Sequence, residues 1–387
     1  MHKDKFVFAQ LTGFLDRNRF NRIVAKYSGD KYVKHFTCWN QLPALMFGQL
    51  SNRESLRDLI IALGAHRSKC YHLGMGKNVS KSSLARASQD RDYRIFEEFA
   101  YFLVNEAREK RATDIFKLEG NVYAFDSTTI DLCLNIFWWA KFRKKKGGIK
   151  VHTLYDVETQ IPTFFHITTA CVHDSKAMDK IPYESGSCYL FDRAYNNFKM
   201  LYRIYQIEAR FVVRAKKNLQ YKAVKWKRRL PKNVLSDMTI ELTGFYPKQY
   251  YSDRLRLVRY WDEEQKREFA FLTNAMDISA LQVAELYKNR WQVELFFKWL
   301  KQHLKIKKFW GTTENAVRIQ IYAAISTCCL VAIIQHDMEL DRSTYEVLQI
   351  LSISLTDKTH IKDLFNKTNF QYDKDRGDSN EPSLFDF

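Results

Sequence analysis

Proline and glycine are scarce, at six and thirteen in 387 residues. These residues open turns and linkers, so long flexible connectors inside the chain are not expected. Cysteine is thin as well. Cys38, Cys70, Cys133, Cys171, Cys188, Cys328 and Cys329 are odd in number and form no C-x-x-C pair. That pattern gives no support to a zinc site or a disulfide framework, and it fits a reducing, cytoplasmic setting. No signal-like apolar run follows the first residues, Met1 to Lys5. The greasiest stretch, Ile319 to Ile334, is short for a bilayer and is interrupted by Gln320, Ser326 and Thr327. It is therefore expected as a buried helix, not as a membrane span. No internal repeat is visible. The last shortage is of acid: 44 Asp and Glu stand against 62 Lys and Arg, a formal charge of +18. A surplus of that size points to a polyanionic partner, most often nucleic acid.

What is present is apolar and aromatic. Hydrophobic residues make up 46%, with 28 Phe, 21 Tyr and 8 Trp, enough for a sizeable core. The length suits one large catalytic domain with smaller attachments. The most informative stretch is Tyr287 to Lys305, which has no Pro or Gly and has Ser279 upstream as an N-cap, so one helix is expected through it. At about 100° per residue, Arg290, Glu294 and Lys301 all lie within about 60° of Tyr287. Leu286, Val293, Phe297, Leu300 and Leu304 form an adjoining apolar stripe. Such a helix buries one side and holds a single acid, Glu294, among bases, with Lys298 extending the basic track. Charged helical faces are usually just solvated, so the weight of this one depends on what the rest of the chain supplies.

Residues 1–115 read as a helical, basic domain. Phe6 to Phe20, Thr37 to Leu50 and Asn52 to Leu63 have helical spacing, and Ser80 to Arg94 opens a further helix with Ser82 or Ser83 as cap. This part suits recognition of duplex DNA, or equally a plain helical bundle packed on the core. From Val122 to Ile130 the chain becomes a strand carrying Asp126, with Asp131 just past it. Gly148 to Val157 and Ile161 to Ala170 form a hairpin with Asp156 in its turn. Arg143, Lys144, Lys145 and Lys146 make a basic loop suited to a phosphate backbone. His173 is a local hydrogen-bonding residue, and Asp174 resembles a helix N-cap. Ser187 to Asp192 repeats the earlier plan, an apolar strand ending in an acid. About a hundred residues separate Asp192 from Glu294, more than a helical crossover needs, so a β-rich insertion is expected at about 216–274. Its aromatics, Trp226, Tyr246, Tyr250, Tyr251 and Trp261, suit stacking on an unpaired base or ordinary core packing.

The spacing Tyr287-x2-Arg290-x3-Glu294-x6-Lys301 resembles the signature of the DDE transposases of the fourth insertion-sequence family. That resemblance implies an α/β fold: a ribonuclease-H-like mixed-sheet core at 116–312 with a β-rich insertion. It leaves 1–115 as a helical domain, 313–368 as a helical C-terminal region suited to dimerisation, and 369–387 as a disordered tail. In this order the first and fourth strands lie side by side, so Asp126 and Asp192 would meet across them and Glu294 would complete the triad. Three converging carboxylates repel unless cations neutralise them. Hard oxygen ligands select Mg²⁺, with Mn²⁺ as a substitute, two ions per site. By resemblance, Tyr287, Arg290 and Lys301 handle the transposon end, and no membrane is involved. The partners implied are terminal inverted repeats, target DNA and a second copy of the chain in a synaptic dimer. The implied activity is cleavage at the element's ends followed by strand transfer of 3′-hydroxyls. A nuclease of the same fold that does not join strands, and an inactive DNA-binding relative, are the alternatives.

Overall fold

The computed structural model describes residues 5–76, 79–111, 116, 118, 120–143, 146–303, 308–342 and 344–365. Six helices come first: α1 Val7–Thr12, α2 Arg17–Lys26, α3 Cys38–Leu50, α4 Leu56–Ala65, α5 Lys81–Asp90 and α6 Arg94–Lys110. The run expected as one helix from Phe6 to Phe20 is divided, because the chain turns at Gly13 and Asp16 caps α2 by accepting from the Arg19 amide. At α5 the cap is Ser80, which accepts from the Ser83 amide. Ser82 and Ser83, expected as caps, lie inside the helix.

Strands follow: β1 Val122–Leu132, β2 Lys141–Arg143, β3 Lys146–Asp156 and β4 Ile161–Thr169. After the short helix α7, Asp174–Ala177, come β5 Cys188–Phe191, α8 Phe198–Gln206 and β6 Arg210–Arg214. The expected insertion supplies β7 Tyr221–Trp226, β8 Val234–Leu242, α9 Phe245–Tyr250, β9 Leu255–Asp262 and β10 Arg267–Thr273. Helices complete the described chain: α10 Ala280–Lys288, α11 Gln292–His303, α12 Glu314–Asp337, α13 Thr344–Ser354 and α14 Ile361–Phe365. The tail expected at 369–387 lies outside the described residues.

Among the described residues ten strands make one sheet, ordered β2-β3-β1-β5-β6-β10-β9-β8-β7, with β4 paired to β3. β1 and β5 run parallel and side by side, as expected for the first and fourth strands. The insertion is not a separate sheet. β10 pairs antiparallel with β6, so the insertion prolongs the core sheet. Two expectations change. Asp131 sits inside β1 rather than beyond it, because β1 stays paired to β3 as far as Leu132. The basic stretch expected as a loop closes a hairpin, with Arg143 ending β2 and Lys146 opening β3. Lys144 and Lys145 lie outside the described residues.

The sheet has an apolar core on each face. Tyr123, Phe125, Tyr189, Phe191, Phe211 and Val213 point to one side and pack with Leu201 and Ile204 of α8. Val122, Ala124, Leu190 and Val212 point to the other, where the N-terminal helices, α10, α11 and α12 share a single cluster. Period-2 alternation gives the strands these two apolar faces. Helix α12 runs through the middle of the larger cluster. It is long and apolar enough to cross a membrane by length and composition, but 89% of its apolar window is buried inside the protein. Asn315 at its start donates to the Ser88, Gln89 and Arg91 carbonyls at the end of α5, tying the N-terminal helices to it.

Candidate active site

The site begins with strand register. β1 and β5 pair through Phe125↔Phe191, so the next residue of each strand is an aspartate, and Asp126 and Asp192 come side by side. Neighbouring strands are about 4.8 Å apart, which leaves the two acids as close neighbours. Apolar residues before each acid fix the strands in the core, and β1 continues past Asp126 only because β3 accompanies it.

Glu294 arrives from the helical side. The stretch expected as one helix is two helices joined by a 3-10 turn, Asn289–Trp291. Ser279 caps α10 as expected, with a capping box completed by Gln282. The tightened turn changes the angle between Tyr287 and Glu294, so the common stripe drawn at a constant helical pitch is only partly kept. The apolar side is kept: Leu286, Val293, Phe297 and Leu300 are buried. Leu304 lies outside the described residues.

Arg290, on that turn, clasps two of the acids. Its Nη1 donates to Asp126 Oδ2 at 3.0 Å and its Nη2 to Glu294 Oε1 at 2.5 Å. Tyr287 is buried, with its ring 4.7 Å from that of Phe271 and its hydroxyl donating to Asp192 Oδ1 at 3.3 Å. It therefore offers this site its hydroxyl; its ring belongs to the core. Lys301 Nζ donates to the Thr129 carbonyl at 2.8 Å, pinning α11 to β1, while Lys298 is exposed.

Burial pushes the Asp126 carboxyl up to about 6, and the Glu294 and Asp192 charges add to this. The Arg290 guanidinium and the Ser127 amide, which donates to Asp126 Oδ1 at 2.8 Å, pull the other way. Two further supports are absent from the sequence reading. Tyr195, three residues after Asp192, points its hydroxyl at Asp126 Oδ1 from 3.4 Å. Ser127 donates to Asp174 Oδ1 at 2.7 Å, and Lys150 Nζ donates to the same oxygen at 3.0 Å. Burial works to raise the Asp174 carboxyl, but these two donors outweigh it and hold it below its ordinary value. Asp174 is thus no N-cap. His173 takes that place, its Nδ1 accepting from the Ser175 amide, and Asp174 is left free for β1 and β3. The hydroxyl-rich run after Asp126 was the available signal for Ser127, whereas Lys150 gave none.

Beside the carboxylates lies a cavity of about 1000 Å³, lined by Asp192, Arg214, Phe269, Tyr287, Arg290 and Glu294 among others. Arg214 and Arg267 sit over the Phe269 ring, with guanidinium carbons 4.9 and 4.4 Å from its centre. Cation–π stacking of this kind holds two positive charges at the wall of the cavity. The three acids offer only hard oxygen donors, which suit a divalent cation. Among the described residues no three such groups are close enough to hold an ion. Arg290 stands between Asp126 and Glu294 as their counter-charge. That placement leaves its buried Nε without a partner.

Residues 117–331, more than half of the chain, match the family described as Transposase DDE domain. The chain belongs to that family. Its core is ribonuclease-H-like. Residues 3–76 match a domain of unknown function. Relatives carrying transposase names include y4zB of Sinorhizobium fredii, 35% identical over 59% of this chain and 64% of that protein. A Geobacillus stearothermophilus protein named for insertion sequence element IS5377 is 28% identical over 63% of this chain and 64% of its own length. One from Synechocystis named for element IS4SA is 25% identical over 73% and 80%. The chain thus spans just under two thirds of the first two relatives.

Proposed function

We propose that this chain is a cut-and-paste insertion-sequence transposase, with Asp126, Asp192 and Glu294 as its metal-binding acids. The observation that carries the reading is the parallel register Phe125↔Phe191, which sets Asp126 and Asp192 at neighbouring positions, with Glu294 tied to Asp126 through Arg290. Transposases of the DDE family generally use divalent metals. Here the ions would be a pair of Mg²⁺, with Mn²⁺ able to replace them. Asp126, Asp192 and Glu294 would hold such ions, which would supply charge stabilisation to an in-line phosphoryl transfer.

The chain's own residues do the rest. Ser127, Tyr195 and the Asp174–Lys150 pair hold Asp126 in place from behind. Tyr287 orients Asp192 through its hydroxyl. Arg290, once released from Asp126 and Glu294, faces the cavity and can grip a phosphate through two parallel N–H bonds. Lys301 fixes α11 to β1 while its charge adds to the field along the DNA path. Attack by water, and then by the 3′-hydroxyl it frees, needs no covalent protein intermediate, so no Ser or Cys nucleophile is required. The partners are the element's terminal inverted repeats and target DNA. The working form is a homodimer holding both ends, in the cytoplasm.

The deciding experiment uses Glu294→Gln. With divalent metal, wild type cuts end DNA and joins the 3′ ends to a target duplex. Glu294 is 55% exposed and its neutral isostere can still accept from Arg290, so the fold should stay within about 1 kcal/mol of wild type. End binding persists and cleavage falls by at least a hundredfold. Cleavage at the wild-type rate would remove Glu294 from the site. Cleavage without joining by wild type would reduce the activity to that of a nuclease.

A further inference from the structure

The far edge of the sheet carries a feature that the carboxylate site does not use. Residues 216–232 hold Lys216, Lys217, Lys222, Lys225, Lys227, Arg228, Arg229 and Lys232, and no acid. All eight are exposed. Lys227 pairs with Asp237 and Lys232 with Glu263. The other six form no ion pair among the described residues. Trp226 stands among them with 60% of its surface exposed. The stretch includes β7, the terminal strand of the sheet, whose outer side has no neighbouring strand among the described residues.

Lysine on an edge strand has an ordinary explanation, because charge and bulges discourage sheets from pairing edge to edge. The register shift between Ala223 and Lys225 is such a bulge. Guarding an edge accounts for the bulge and for a lysine or two on the strand. It does not account for the turn after the strand, where Arg228 and Arg229 continue the charge beyond any edge to be guarded. Nor does it explain the exposed tryptophan flanked by lysines. A run of unpaired cations with an accessible aromatic is the surface a phosphate backbone calls for.

We propose that β7 and the turn after it form a second DNA-binding ridge, gripping the phosphates of duplex DNA without regard to sequence. The ridge rests on the transposase reading but not on the carboxylates. Five strand spacings separate β7 from β5, so it lies roughly 24 Å along the sheet from Asp192. At 3.4 Å per base pair that is about seven pairs of duplex. The DNA arm leading away from the cut bond is therefore the arm within reach of the ridge.

The test uses the full chain and a 30-base-pair duplex of arbitrary sequence, titrated between 0.05 and 0.3 M salt. The variant neutralises Lys222, Lys225, Arg228 and Arg229 to Gln. A control neutralises four exposed lysines elsewhere: Lys180, Lys199, Lys358 and Lys362. Each phosphate contact contributes about 0.9 to the slope of log affinity against log salt. The ridge variant should lose about 2 to 4 of that slope and weaken binding at least tenfold at 0.15 M, while the control loses less than 1. An unchanged slope, or equal loss in both variants, overturns the ridge. If wild type still cuts end DNA in that case, the transposase reading survives the loss. A wild-type chain without salt-dependent DNA binding removes both.

Discussion

Asp126→Asn in metal-free protein gives a prediction whose sign follows from the surroundings of one carboxyl. The Asp126 side chain is 20% exposed, and its folded pKa is raised from 3.8 to about 6, with burial the largest cause. A carboxyl raised on folding holds its proton more tightly in the native state. Its stabilising contribution is therefore full below about pH 4 and is lost as pH rises through about 6. At 1.36 kcal/mol per tenfold change, keeping the anion at pH 8 costs about 3 kcal/mol. The pull of Arg290 is already inside that value, so the cost is what remains after the clasp has acted. Asparagine cannot ionise and escapes it. Thermal unfolding in EDTA should place the variant level with wild type, or slightly below it, at pH 4.5. At pH 8 it should be more stable by up to about 3 kcal/mol, a shift of several degrees. Adding Mn²⁺ at pH 8 should stabilise wild type and not the variant, because only a native-state ligand site draws free energy from the ion. A difference independent of pH, or a variant less stable than wild type at pH 8, would refute the reasoning and make the Arg290 ion pair dominant over burial.

Two further outcomes concern the frame around the site. Arg256 and Asp237 are almost wholly buried and joined by two bonds of 2.7 Å. Arg256→Met should cost about 3–5 kcal/mol, because it leaves Asp237 with only Lys227 and removes the donor to the Ala275 and Ile278 carbonyls, and adding Asp237→Leu should recover only part of it, as read from denaturation midpoints. A Cβ at Gly48 would lie 2.5 Å from the Trp310 ring, so Gly48→Ala should destabilise by about 1–3 kcal/mol, visible as a lowered unfolding temperature.

The parts of the site that were legible in the sequence were those set by local pattern. The strands at Asp126 and Asp192 are apolar runs that end in an acid; their adjacency comes from the family resemblance, since burial alone does not choose a strand's neighbour. The Ser279 cap and the buried side of α10 and α11 follow from composition and period. The 3-10 turn at Asn289–Trp291 left no trace, because it contains neither Gly nor Pro and a single tightened turn is tolerated by almost any residues. Asp174 was misread for another reason. Its position before a helix is cap-like, while its actual partners, Ser127 and Lys150, are remote in sequence and are brought in by strand register. Alternation likewise marked the insertion as strands but could not say which strand they join.

That last point governs how the third acid is aimed. β10 is locked to β6, and the chain leaving it is pinned three times. Thr273 Oγ1 donates to the Phe211 carbonyl, Asn274 Nδ2 to that of Ala209, and Arg256 Nη1 to those of Ala275 and Ile278. Ser279 follows at once, caps α10, and α10 leads through Arg290 to Glu294. The placement of Glu294 against Asp126 is therefore set by the insertion's own hydrogen bonds as much as by the core strands. An insertion that merely hung from the sheet would leave α10 free to pivot about its cap. One that continues the sheet transmits the register of β6, the strand beside β5, to the helix carrying the third carboxylate.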